Sequence, residues 1–465
     1  MAVALSATAA LAADEEAFTA ETWREAADRI IAAAMADEQA WQRIEYLADV
    51  IGPRLSGSPA LDQAIEWAVA GMKADGLDNV RTQPVMVPHW VRGHESLELL
   101  APRPRPIPML GLGGSVATPK EGVEAEAVVV SSFDELEALS PEQVQGKIVV
   151  YAVPWVGYGG TVAYRGLGAS RAAAKGAVAA LVRSATGLAA KLPHTGAMRY
   201  DEAVPKIPAA AIAPEDSEWM KRAQARGEKL KLRLVMSAET LPDAPSANVI
   251  AEIVGRELPD EIVVMGGHYD SWDVGQGVHD DGGPCIAAWQ ALTLLKQLGL
   301  QPRRTLRVVL WTNEENGLRG ARHYREALGE AVGSHVAAIE MDGGIERPAQ
   351  FGFGMHEVPT DGTDPRYEAA YAKVEAISAL LADLEIGAKR GGGGADIGPL
   401  MRDGVPGMHL NTVGEHYFDW HHTEADTLDK VDPENVRRAI AALAVMGYVL
   451  ADMPGRLVDP EPVAP

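Results

Sequence analysis

The amino-acid sequence predicts an α/β protein: a largely parallel mixed sheet flanked by helices, carrying a smaller inserted α/β unit. Three observations predict it. From Asn248 onward, short apolar runs alternate with loops and helical patterns, the mark of repeated strand–loop–helix units. The stretch 122–237 differs in character, with short β-like runs around an Ala-rich helix. The 465 residues also exceed one average domain, which favours a large unit with an insertion.

Taken in order, residues 1–13 are Ala-rich and end near Ala10-Leu11-Ala12. They read as the remnant of a secretory signal with an A-x-A-like cleavage site, so an exported, periplasmic or secreted protein is expected. From 20 to about 74 the pattern is helical, with Ile30, Ile31, Ala34 and Met35, then Trp41, Ile44, Leu47 and Ile51. Gly52-Pro53 breaks the helix, and Ser56-Gly57-Ser58-Pro59 leads into the next. The Pro-rich stretch 101–108 marks a boundary. The main unit is therefore expected over 14–121 plus 238–465, and the insert over 122–237. Within the insert, 127–130, 147–153 and 209–212 read as strands, and 170–180 as a helix. In the main unit, 262–265, 306–311 and 336–341 read as buried strands. Residues 284–298 read as an amphipathic helix with Ile286, Leu292, Leu295 and Leu298 on its apolar side.

Lys plus Arg number 42 against 65 Asp plus Glu, a net charge of −23. That balance argues against nucleic acid and anionic membrane surfaces as partners. There is no run of 18 or more apolar residues, so no membrane span is expected. The single cysteine, Cys285, excludes an intrachain disulfide and a Cys-based zinc knuckle, and reads as a small buried residue.

The chemistry lies directly behind the predicted strands. Behind 262–265 come His268 and Asp270; behind 306–311 come Glu314 and Glu315; behind 336–341 comes Asp342. Open α/β sheets bind ligands at the carboxyl ends of their strands, so these groups converge on one edge. The Gly-rich loop 275–283 aims Asp280 and Asp281 at the same edge. So many carboxylates in one cleft are costly unless cations neutralise them. Imidazole and carboxylate without thiolate suit zinc, with Mn or Co as substitutes. A two-metal site needs a second imidazole, and the segment 417–427 offers His421 and His422.

In combination, GGHYDSWDVGQGVHDDGG, LWTNEENG, EMDGG and HHTEADT resemble the co-catalytic zinc aminopeptidase and glutamate carboxypeptidase family. IGPRLSGS, FDEL, GKIVVY and VPKIPAA also match a member's pattern, so the resemblance covers nearly the whole chain. It implies two zinc ions per chain. His268 and Asp342 would bind the first, Glu315 and His422 the second, with Asp280 bridging. Glu314 is implied as the general base, and Asp270 as the carboxylate orienting His268 through its other ring nitrogen. The expected activity is hydrolysis of dipeptides or short peptides with a free N-terminus, by a metal-bridged water activated by Glu314. The insert is similar to a protease-associated domain, and a homodimer is implied by the resemblance alone.

Rival readings stand beside these. His279 directly precedes Asp280 and reads as a rim residue. Neighbouring imidazoles in a strand or turn point opposite ways, so only one of His421 and His422 is expected to ligate. The family register favours His422. Amide deacylation or another acyl-transfer chemistry on the same scaffold stays open, as does a non-enzymatic receptor-like role. The complete donor set speaks against the latter.

Overall fold

The structure is a computed structural model that describes residues 18–458. The signal-like segment 1–13 lies outside the described residues.

A central sheet of eight strands organises the larger part. Its middle is parallel: Arg304–Trp311, Leu258–His268, His335–Glu340 and Gly407–Thr412 lie side by side in that order. The strand Leu258–His268 shows why. Val263 and Met265 face one apolar cluster, Val264 faces another, and all three are buried. A strand buried on both faces needs a continuous apolar run and helices on each side. The sheet is less parallel than the sequence implies. Asp78–Val91 and Glu239–Ile253 pair antiparallel on one flank, and Pro348–Gly354 runs antiparallel to Gly407–Thr412 on the other. Among the described residues, no helix separates His335–Glu340 from Pro348–Gly354, or Asp78–Val91 and Glu239–Ile253 from their sheet partners in the strand–loop–helix manner that predicted parallel order.

Helices Gly283–Gln297 and Pro433–Asp452 cover one face, and Arg319–Leu328 the other. Gly283–Gln297 is not amphipathic: every residue from Gly283 to Leu295 is buried. It is sandwiched between the sheet and the helices Gln39–Tyr46 and Pro433–Asp452. A helix wrapped on all sides loses its polar face.

The few polar groups in this layer are satisfied together. Asp75 accepts from Arg43 (2.6 Å), Trp289 Nε1 (2.8 Å) and Thr293 Oγ1 (2.8 Å). Arg43 also lies over the Trp289 ring at 4.0 Å. The Arg43–Asp75 pair is almost fully buried, at 9% and 7% side-chain exposure, so it is stable only while both charges are present.

A second eight-stranded sheet occupies the insertion. Its core strands Val123–Val130, Ile148–Tyr151, Ala179–Arg183 and Ala209–Ile212 run parallel. The expected start at 122 falls inside this sheet. Glu95–Ala101 pairs with Lys231–Met236, and Met109–Gly111 with Ala209–Ile212. The Pro-rich stretch is a connection between two strands of this sheet, Glu95–Ala101 and Arg105–Ile107, and marks no boundary. The chain leaves the central sheet at Val91 and returns at Glu239, and those two residues pair directly. The helix here is Tyr158–Ala174, earlier than 170–180, because four glycines weaken its helical pattern in sequence.

Asp75→Ala should leave Arg43 buried and unpaired and lower unfolding stability by about 3–5 kcal/mol. Urea denaturation measures it. A loss under about 1 kcal/mol, the scale of a solvent-exposed pair, would contradict this account of the layer.

Candidate metal centre

Parallel strands place their carboxyl ends on one edge, and the predicted groups gather there. His268 ends its strand, Glu314 and Glu315 follow Arg304–Trp311, and Asp342 follows His335–Glu340. His268 Nε2 lies 3.2 Å from Asp280 Oδ1 and 3.8 Å from Asp342 Oδ1. His422 Nε2 lies 3.2 Å from Asp280 Oδ2 and 3.1 Å from Glu315 Oε2. Asp280 thus stands between the two imidazoles, with one oxygen toward each.

Backbone contacts hold this geometry. His268 and Gly267 close tightly on the acidic loop: Asp281 Oδ2 accepts from His268 N at 3.1 Å, and a Cβ on Gly267 would come within 2.1 Å of that oxygen. Asp426 organises the loop carrying Asp280. Its two oxygens accept from the backbone N–H of Val278 (3.0 Å), His279 (2.8 Å) and Asp280 (3.1 Å). Arg54, fully buried, donates to the carbonyls of Tyr269, Gln276 and Gly277. One guanidinium thereby ties both ends of the loop 269–277 to the turn at Gly52, whose carbonyl it also takes.

Two expectations change here. Asp270 does not orient His268 through its carboxylate. The His268 Nδ1 partner is the Asp270 backbone carbonyl at 3.0 Å. The carboxylate instead accepts from Ser56 Oγ and from the Glu314 backbone N–H, both at 3.1 Å. It fixes the start of the Glu314-Glu315 turn. His279 is not on the rim either. It is fully buried, with Nδ1 accepting from Ile345 N at 3.2 Å.

His421 and His422 also defy simple alternation. Their rings stack at 3.5 Å, because His422 sits at φ 62° in a turn where strand alternation does not apply. His421 Nε2 comes within 3.5 Å of Asp280 Oδ2, but His422 is the ring flanked by two carboxylates. The His422 Nδ1 faces the Thr195 carbonyl at 3.2 Å, and Thr195 N donates back to the His422 carbonyl at 3.0 Å. Thr195 belongs to the inserted part. That outer bond leaves Nε2 directed at the carboxylates.

The electrostatics mark a cation well. Burial opposes charge on both imidazoles, yet the carboxylates outweigh it. Glu315 and Asp280 push His422 up to about 10, and Asp280 and Asp342 raise His268 well above the usual range. Burial pushes Glu315 up to about 7, with Asp280 adding and His422 opposing. Burial drives Glu314 well above the ordinary carboxylate range; His268 opposes and Asp342 and Glu315 add. Glu315 Oε1 is buried with no hydrogen-bond partner among the described residues. The ligand atoms of His268, Asp280 and Glu315 lie within 4.8 Å of one another, as do those of Asp280, His421 and His422. Nitrogen and oxygen donors in two sets sharing one carboxylate fit a pair of zinc ions.

Two overlapping donor sets at the ends of parallel strands, with Glu314 lining an adjacent cavity, define a two-metal hydrolase. The family model for peptidase family M28 matches residues 248–446. Carboxypeptidase Q of Bos taurus is 43% identical over 419 residues, covering 90% of this chain and 86% of that protein. The chain belongs to peptidase family M28 and is a metallopeptidase. The crystal structure of a peptidase M28 precursor from Shewanella amazonensis SB2B matches with a TM-score of 0.89 at 32% identity, covering 96% of this chain and 100% of that one. BSAP, a zinc aminopeptidase from Bacillus subtilis, shares the fold at a TM-score of 0.67 and 19% identity, over 90% of this chain and 96% of its own.

Sequence reasoning missed Arg54, Thr195 and the work of Asp426. Asp426 stands within the HHTEADT motif, which is the signal that could have raised it. Its carboxylate takes three N–H donors, and an amide presents its own N–H₂ to some of them. Asp426→Asn should weaken zinc affinity about 10- to 100-fold, the range for outer partners of metal ligands. Zinc titration against a competing chelator measures it, and unchanged affinity would remove Asp426 from the role of loop organiser.

Proposed function

We propose that the protein is a di-zinc exopeptidase that hydrolyses dipeptides or short peptides with a free N-terminus. The observation that carries this is the position of Glu314. It is half-buried and lines a cavity of about 630 Å³ together with Asp280, Glu315, Asp342 and His422. His268, Asp280 and Asp342 would hold one zinc, and Asp280, Glu315 and His422 the other. Bound zinc supplies Lewis acidity and lowers the pKa of water in the site.

The chain's own groups do the rest. A base near neutral pH needs a raised carboxyl pKa, and burial beside Asp342 and Glu315 raises that of Glu314. Its carboxylate takes the proton from the attacking water and returns it to the leaving nitrogen. The Asp270 bond to the Glu314 backbone fixes where that carboxylate starts from.

Three finer assignments go with this reading, two from the family resemblance and one, export, from the signal-like N-terminus. The inserted part is a protease-associated-type unit, the mature protein is exported and the chain works as a homodimer. The Ala10-Leu11-Ala12 site supports export. Intact mass and light scattering of the protein recovered from a secreting host test the last two together: a mature chain starting near residue 13, at twice the monomer mass, is expected. A full-length monomer retained in the cytoplasm would reject both.

Zinc-loaded wild type should cleave free dipeptides, and Glu314→Gln should lose about a hundred- to ten-thousandfold in kcat. Zinc content and melting temperature should stay the same in the variant. Equal rates from both proteins would reject Glu314 as the base. Cleavage confined to N-acylated substrates would move the reaction to amide deacylation.

A further inference from the structure

The two metal positions differ in where their imidazoles are held from behind. His268 takes its outer bond from the Asp270 carbonyl, in its own loop, at 3.0 Å. His422 takes its outer bond from Thr195 of the inserted part. The aim of the second imidazole therefore depends on a body that joins the central sheet where Val91 pairs with Glu239. The residue directly after Val91 is Arg92.

Arg92 is nearly enclosed, at 10% side-chain exposure, and its guanidinium meets several chain segments at once. Nε and Nη2 grip the Asp273 carboxylate in a two-bond fork, at 2.8 and 2.6 Å. Asp273 lies in the loop 269–277 that follows His268. Nη1 donates to the Gly111 carbonyl in the second sheet (2.5 Å), and Nη2 to Thr195 Oγ1 (3.3 Å). Glu95 comes within 3.6 Å of the same group, and its other oxygen accepts from Gly111 N at 2.9 Å. Thr195 is fully buried, with its side chain and backbone both engaged. Its hydroxyl accepts from Arg92 and donates to Gly111 O at 2.7 Å. Its N–H donates to the His422 carbonyl at 3.0 Å, and its own carbonyl faces His422 Nδ1 at 3.2 Å. The junction is tightly packed. A Cβ on Gly113 would come within 2.0 Å of Trp272, and the Trp272 ring lies 5.6 Å from that of His422.

We propose that Arg92 and Thr195 are positioning residues through which the inserted part sets the affinity of one zinc only, the one held by Glu315 and His422. This rests on the di-zinc reading and deepens it. A guanidinium that holds a carboxylate in two parallel bonds fixes direction as well as distance. Arg92 thereby locks Gly111 and Thr195 to the loop of Asp273. The Thr195 carbonyl then stands where the Nδ1–H of His422 must point. A carbonyl that is turned or withdrawn releases the ring, and Nε2 loses its aim between Asp280 and Glu315. His268, held from its own loop, keeps its aim. One zinc is thus secured by the central part alone, and the other is graded by how the insert is seated.

The test is a zinc titration of the full chain against a competing chelator, resolved into its binding events. Wild type should bind two zinc ions. Arg92→Gln and Thr195→Val should each weaken one of them about tenfold, the lower end of the range for outer partners of metal ligands, and leave the other within about twofold. Thr195→Ser keeps the hydroxyl and should bind both as wild type does. His422→Ala identifies the affected ion: it should retain one zinc, and adding Arg92→Gln should not weaken that one further. Equal weakening of both ions, or further weakening in the His422→Ala background, would make Arg92 a general support of the fold and overturn the proposal. Unchanged affinities in Arg92→Gln and Thr195→Val would overturn it as well. If Arg92→Gln does not fold, Thr195→Val decides alone, because it removes one hydroxyl and keeps the shape of the side chain. A wild type that binds a single zinc would overturn the di-zinc reading itself, and this assignment with it.

Discussion

Like charges crowded into a buried cleft are the constraint around which this molecule is built. Asp280, Glu315 and Asp342 meet with Asp281 and Glu314 where solvent screening is weak. Each needs offsetting charge or directed N–H groups. The imidazoles of His268 and His422 provide one part, and the backbone provides another. Asp281 takes the N–H of His268, and Asp270 that of Glu314. Asp426 extends the logic one layer outward, gathering three N–H groups so that the Asp280 loop closes over the site.

The same constraint explains the scaffold. Parallel strands in the middle of the sheet are rigid because both faces are buried, and their ends can therefore hold ligands at fixed spacing. Arg54 shows the cost of keeping loops equally fixed. A whole guanidinium is buried to satisfy backbone carbonyls of Gly52 and of the loop 269–277, neither of which lies in a regular strand or helix. In both places polar groups were moved out of water only where a full set of partners awaited them.

Much of this was legible in sequence, and the boundary of legibility is physical. Carboxylates and imidazoles directly behind apolar runs announce themselves, because few structural roles put His268, Glu314, Glu315 and Asp342 at strand ends. The buried strand around Ile262–Met265 was equally plain from its unbroken apolar run. The features that stayed hidden depend on backbone shape or on distance along the chain. The left-handed turn at His422, which stacks it on His421, leaves no mark in residue type. Arg54 looks like any surface arginine until its partners, more than 200 residues away, are seen. The first strands of the second sheet were masked by prolines that read as a boundary.

The pairing of Val91 with Glu239 gives the inserted part a double-stranded stem on the central sheet. It is attached again across the cleft, where Thr195 and His422 exchange two backbone-mediated bonds, Arg165 reaches His422 Nδ1, and Tyr158 stacks on Phe418. A body fixed at a stem and at a latch moves only by releasing the latch. Any swing of the insert that widens the entrance therefore strips His422 of the bond that aims its ring. Access for substrate and the aim of the His422 ring at Asp280 and Glu315 are mechanically the same coordinate.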